Sequence, residues 1–258
     1  GTAYGEQVSF TTLEYVPEGA ISGKFTVNAN GRQVRFAQGN LLYIGSAGDG
    51  NSNTNNAGAY WKFADNQWDM NTYDGHAIKQ DREWLAWGTS GYAHGASYYQ
   101  PWQWGGANSY HYAYGNNVKN LFDAKDDGSM QGQADYGYNA IRNGGNRENS
   151  GWRTPTIEEW VYVLDTRAAS TINGTANARY AKAKVNGVNG VIIFPDVITW
   201  NTTTMGTAPT ACNTANDNYT YSPSDANWTA LESSGCVFLP AAGYRNGTSV
   251  YNVGSVGI

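Results

Sequence analysis

The sequence predicts an α+β fold, and three observations carry that prediction. Short alternating apolar runs stop at Asn-Gly and other glycine-bearing turns, which is the mark of antiparallel hairpins. Two segments carry helix caps at the right spacing. More than half of the chain shows neither helical nor strand periodicity and reads as coil. With 258 residues the chain is long enough for one large domain. Aromatic residues make up 14% and charged residues 14%, with 32 glycines. Charge is low and glycine high for a soluble chain. That balance argues against disorder, which needs few aromatics and much charge. It also argues against a coiled coil.

Residues 1–20 read as a lead-in strand and linker ending in a turn at Pro17-Glu18-Gly19, and 21–258 as one domain. Lys24 to Phe36 reads as a hairpin about Asn30-Gly31, a dipeptide suited to a type I′ turn. Leu41-Leu42-Tyr43-Ile44 and Tyr60-Trp61-Lys62-Phe63 read as strands on either side of a polar loop. Between 64 and 150 periodic signals are few. Asp81 to Trp87 has the look of one short helix, and eight aromatics then fall within 92–114. A structureless stretch of that length is functional or packed by its own side chains, so ordered coil is expected.

Thr156 and Glu159 have the T-x-x-E spacing of a capping box. The spacing predicts a helix over 157–167, with Ile157, Trp160, Val161 and Leu164 on one buried face. Tyr180–Val185 and Val191–Phe194 read as a hairpin with Asn186-Gly187 opening the turn. A second helix is predicted over 225–234, capped by Ser224 and ended by Gly235. Cys236 to Pro240 reads as a buried strand, and Tyr244-Arg245-Asn246-Gly247-Thr248 as a last hairpin.

Several function classes are disfavoured. The net charge is −5, and the 16 Lys and Arg are scattered, so there is no basic footprint for nucleic acid. No apolar run reaches membrane-spanning length, so no membrane insertion is expected. The chain begins at Gly1 without a leader, which suggests a processed protein or a fragment. His76, His94 and His111 have no metal-ligand spacing. There is no G-x-S-x-G elbow and no phosphate-cradling loop, so the chain is not expected to be an enzyme. Cys212 and Cys236 are either one disulfide or two buried thiols. Asp49, Asn51 and Asn53 alternate like calcium ligands, but Thr54 and Tyr60 stand where a calcium loop needs Gly and Glu. Asp123, Asp126 and Asp127 form a second weak cluster. Asx-turn chemistry accounts for both clusters, so no cofactor is expected and calcium stays a minor possibility.

The run Gly151-Trp152-Arg153-x-Pro155-Thr156-x-x-Glu159-Trp160 resembles the helix entry of C-type-lectin-like folds of the formylglycine-generating-enzyme type. Five further pieces strengthen the likeness: Val34 to Leu41, Trp61 to Trp68, Trp87 to Tyr92, Gly137 to Ile141, and Gly235 to Arg245. Together they are similar to Bacteroidales surface proteins related to the Fibrobacter major paralogous domain, over about 20–258. Some proteins of this fold are variable binders diversified by retroelements. The resemblance implies two helices and a twisted antiparallel sheet with long irregular loops. The oxidase branch of the fold uses a cysteine pair that Cys212 and Cys236 do not match. Family members continue past the Tyr-Arg-Asn-Gly hairpin, so closing C-terminal strands are expected to be missing, leaving a sheet edge near Gly254 for another subunit to fill.

These readings converge on an extracellular or cell-surface, non-enzymatic domain that binds a glycan or protein. Tyr98, Tyr99, Trp102, Trp104, Tyr110 and Tyr112 supply flat amphipathic rings suited to such contacts, with Tyr244, Arg245, Asn246 and Tyr251 on the last hairpin. The bland alternative is that the rings only pack the loops together. Trp152, Arg153, Thr156, Glu159 and Trp160 are expected to be structural, with Arg153 paired to Glu159. The second reading is a structural subunit of a fibre, pilus or phage appendage whose copies pair through strands.

Overall fold

The computed structural model describes residues 14–50, 57–70, 81, 135–215, 218–246 and 249–255. Within them the fold is mixed helix and sheet, with few helices and small antiparallel sheets. Nine strands form four sheets of two or three strands each. The pairs are β1 (Phe25–Thr26) with β2 (Gln33–Val34), β3 (Leu41–Ile44) with β4 (Tyr60–Phe63), and β8 (Tyr244–Asn246) with β9 (Ser249–Tyr251). The central sheet has the order β5 (Tyr180–Val185), β6 (Val188–Ile193), β7 (Val237–Pro240).

Local chemistry explains most of these elements. Asn186 and Gly187 both have positive φ, 46° and 80°, so the β5–β6 turn is the two-residue type I′ that this dipeptide favours. The first hairpin departs from expectation. Only Gly31 is left-handed there, and the loop runs over 28–31, closed by the Val27 N–H to the Arg32 carbonyl at 2.8 Å. The Asn28 side chain explains the change, because its oxygen accepts from both Asn30 N and Arg32 N and stabilises a longer loop.

The central sheet is buried on both faces. Ala181, Ala183, Val185, Ile192 and Phe238 pack with Trp228 and Leu231 of the helix Asp225–Ser233. Tyr180, Val191, Ile193 and Val237 pack instead with Phe25, Val27 and Val163. Tyr43, Trp61, Phe63 and Ile141 form a third cluster under β3 and β4. The outer edge of β7 is covered by one side chain: buried Gln67 accepts from Phe238 N at 2.6 Å and donates to the Cys236 carbonyl at 3.4 Å. It does what a further strand would do for those groups.

Helix α1 (Ile157–Val161) begins at the expected cap, then widens into a π-helical turn over Tyr162–Thr166 closed by Arg167 N to the Tyr162 carbonyl at 2.9 Å. Its expected buried face holds for Trp160 and Leu164, which pack on the core cluster, and is corrected for the other two residues. Ile157 and Val161 are 66% and 50% exposed, while Val163 and Arg167 are fully buried. The second turn packs against β1, and the first lies beyond that contact. A short helix over Thr202–Met205, which we label α2, was not expected, although Asn201 caps it. The third helix, α3 (Asp225–Ser233), has the Ser224 cap and the left-handed Gly235 that its sequence predicts. The expected helix after Asp81 lies outside the described residues.

Candidate functional site

The strongest constellation grows from the α1 entry. The Thr156 hydroxyl accepts from Glu159 N at 3.3 Å, and the Glu159 carboxylate accepts from Thr156 N at 2.9 Å. That reciprocal pair satisfies two otherwise orphaned helix donors. The same carboxylate receives the Arg153 guanidinium on both oxygens, one bond being 2.7 Å and the other shorter. Burial pushes the Glu159 carboxyl up, but the Arg153 bonds and the Thr156 N–H outweigh it and hold the group below its ordinary value. Asp135 faces the same segment. It accepts from Gly137 N at 2.8 Å and Thr154 N at 2.9 Å, yet burial dominates and raises its carboxyl. The expected Arg153–Glu159 pairing is therefore present as a forked pair at the helix entry.

These residues wall a cavity of about 290 Å³. Strand residues Arg32, Val34, Arg35, Phe36 and Ala37 line one bank. Gly151 to Pro155 line another, and Trp160, Val163 and Leu239 also face it. A neighbouring groove of about 600 Å³ shares Val34, Arg35, Gly151 and Trp152, and continues to Tyr15, Gly144 and Arg147. Trp152 is fixed between the two, with its indole N–H donating to the Gly144 carbonyl at 3.0 Å and its ring against Phe63 at 4.8 Å. Trp160 meets Phe36 at 5.4 Å. Both tryptophans are half-buried, whereas Trp228 is 2% exposed.

Other expected site residues fall differently. Tyr98, Tyr99, Trp102, Trp104, Tyr110 and Tyr112 lie outside the described residues. So do Asn51, Asn53, Asp123, Asp126, Asp127 and all three histidines. Asp49 is described, and its N–H closes the loop onto the Ala57 carbonyl at 2.9 Å. Among the described residues, no group of three or more His, Cys, Asp or Glu is placed to hold a metal. Tyr244, Arg245 and Asn246 form β8, and Tyr251 on β9 is 46% exposed. That hairpin is tied down by Gly254, whose N–H donates to the Ala241 carbonyl and whose carbonyl accepts from Asn189 Nδ2.

Cys212 and Cys236 are both free thiols packed into the core beside Tyr221. Burial pushes the Cys212 thiol up to about 11 and the Cys236 thiol higher still. Neither is a nucleophile at neutral pH, since the thiolate is the reactive form.

No known protein family, curated protein or solved structure matches this chain. The geometry alone must therefore carry the functional reading.

Sequence reasoning missed two buried polar anchors. Arg167 sits seven residues after Trp160 on the same helical face, which was a usable signal. Gln67 gave none, because nothing local marks a glutamine destined to cover a strand edge.

Proposed function

We propose that this chain is a non-enzymatic, extracellular ligand-binding or adhesion domain of C-type-lectin-like fold, of the kind found in Bacteroidales surface proteins. The observation that supports this best is the helix entry. Arg153, Thr156 and Glu159 form one hydrogen-bonded unit, flanked by Trp152 bonded to Gly144 and by Trp160 packed on Phe36 of the hairpin arm, and this supports the reading drawn from the resemblance. Such a frame holds loops rigidly at its margins, and loops on a rigid frame are where binding residues concentrate. The proposed ligand is a glycan or protein, contacted by Tyr98, Tyr99, Trp102, Trp104, Tyr110 and Tyr112 and by the β8–β9 hairpin.

The test is binding to glycan and protein arrays by the wild-type chain and by Trp102→Ala/Trp104→Ala. Binding lost with the fold intact supports the reading. A ligand that both proteins hold equally, or no ligand on either array, counts against it. The second reading, a subunit of a fibre or appendage, is favoured by the division of the described strands into four small sheets of two or three strands. A solution mass showing only monomer at high concentration removes it.

A further inference from the structure

Among the described residues, β2 (Gln33–Val34), with the arm that continues it to Ala37, has a bare edge beside an apolar slot. Its partner side is settled by three bonds: Val27 N to the Arg32 carbonyl, Ile21 N to the Phe36 carbonyl, and Gln38 N to the Gly19 carbonyl. Antiparallel alternation then turns the N–H and C=O of Gln33, Arg35 and Ala37 the other way. β2 has no second neighbour in its sheet, and those backbone groups have no partner among the described residues. Proteins usually guard such an edge with proline, a bulge or an outward charge. Here there is no proline, and the one charge is diverted. The Arg35 guanidinium is held by the Ser22 carbonyl and by Glu14. Arg35 and Ala37 line the cavity described above and Arg35 also lines the groove, whose apolar walls include Phe36 and Trp152. Arg32 on the cavity and Arg147 on the groove are exposed, and no carboxylate forms an ion pair with either among the described residues.

We propose that this edge and slot form a docking site for an extended peptide segment of a partner protein, with alternating apolar side chains and acidic residues toward its ends. A row of unpaired amides and carbonyls calls for a peptide backbone rather than a sugar. The half-buried rings call for apolar side chains on one face of that strand. Arg32, which also acts on Glu159 across the cavity, and Arg147 are in no ion pair among the described residues and favour acidic flanks by charge complementarity. This proposal rests on backbone groups of Gln33, Arg35 and Ala37 rather than on Trp102 and Trp104, so the array experiment and the one below read different residues.

Amide hydrogen exchange on the monomer reads the edge directly. Gln33, Arg35 and Ala37 are expected to exchange fast while Val34 and Gln38, which face the partner arm, are protected. A display library of extended peptides of about seven residues, a usual strand length, is then selected on the wild type. Enriched peptides are expected to alternate, to carry Asp or Glu at the ends, and to slow exchange at those three amides. N-methylation of the peptide's inward amides is expected to weaken binding about tenfold, the loss of one or two net hydrogen bonds. Ala37→Pro removes an outward donor only, so it is expected to keep the circular dichroism spectrum and lose the peptide. Arg32→Glu/Arg147→Glu, both at exposed positions, is expected to lose the preference for acidic ends. The proposal is overturned by any of four results: protection of the three amides in the free monomer, no enriched peptide, an enriched peptide that Ala37→Pro binds equally well, or a doubled solution mass with protection of those amides, which assigns the edge to a second copy.

Discussion

Arg167 donates to Asp196 at 2.9 Å from a position with no solvent exposure at all. The same guanidinium reaches the carbonyls of Val163 at 2.8 Å, Phe194 at 2.5 Å and Arg179 at 3.3 Å. Asp196 in turn accepts from Thr26 N, the Thr26 hydroxyl and Gln33 Nε2. One ion pair thereby joins the π-helical turn, the end of β6 and the first hairpin. Each of the three guanidinium nitrogens on the buried cation donates to at least one oxygen, which is the condition for such a pair to be tolerated.

Arg167→Met leaves three carbonyls and a carboxylate without their donor. We expect a loss of about 3–5 kcal/mol, the usual cost of breaking a buried pair from one side. Asp196→Asn keeps a shape match and some acceptors, so about 1–3 kcal/mol is expected. Urea midpoints of the three proteins check the order.

Acid should dissolve these anchors in sequence. The Asp196 and Glu159 carboxyls lie below their ordinary values of 3.8 and 4.5 in the folded protein. For Asp196, burial pushes upward, but the Thr26 and Gln33 hydrogen bonds and Arg167 outweigh it. A depressed carboxyl contributes stability above its unfolded value and loses it as pH falls through the folded one. The stability gap between wild type and Glu159→Gln should therefore close below about pH 4.5, and the gap to Asp196→Asn below about pH 3.8. Asp135 works in the opposite sense, because its raised carboxyl favours the folded state in acid and loses that contribution as pH rises through its folded value. Denaturant melts at several pH values measure all three.

Thr156→Ala removes the hydroxyl half of the capping box. The expected cost is about 1 kcal/mol, within the range for such caps. Tryptophan fluorescence should shift as well, since Trp160 lies in the first helical turns.

Gly23 and Gly235 touch backbone to backbone. A Cβ on Gly23 would sit 2.1 Å from the Gly235 carbonyl oxygen. Gly23→Ala must push the first hairpin away from the end of α3, so we expect about 1–3 kcal/mol of destabilisation. Thermal unfolding of that single variant decides it.

Neither cysteine should react in the folded protein. With Cys236 wholly buried and both thiols raised by desolvation, iodoacetamide at pH 8 should label both only after urea is added. Rapid labelling of Cys212 in the native state would contradict the packing of the residues around Tyr221.

Much of this architecture was legible one segment at a time. The Thr156–Glu159 box, the Ser224 cap, Gly235 and the Asn186-Gly187 turn are local devices, each complete within a few residues, and the chain carries them wherever it folds. Asn30-Gly31 shows the limit of that reading. The dipeptide predicts a two-residue turn, yet Asn28, two positions earlier, satisfies the backbone of a longer one.

What the sequence determined by itself was therefore most of the elements, though not the Thr202–Met205 helix or the π-helical turn, together with the Arg153–Glu159 pairing and the aromatic segments as candidates for binding. Tertiary structure alone decided that Arg167 enters the core while Ile157 and Val161 face solvent, that Gln67 covers the edge of β7, and that Gln33, Arg35 and Ala37 find no backbone partner among the described residues. The physical reason is that caps and turns are satisfied by neighbours in the chain. A buried charge or a strand edge is satisfied only by groups that the fold brings to it from other elements, as Asp196 is brought to Arg167 and Gln67 to Phe238, or by another molecule.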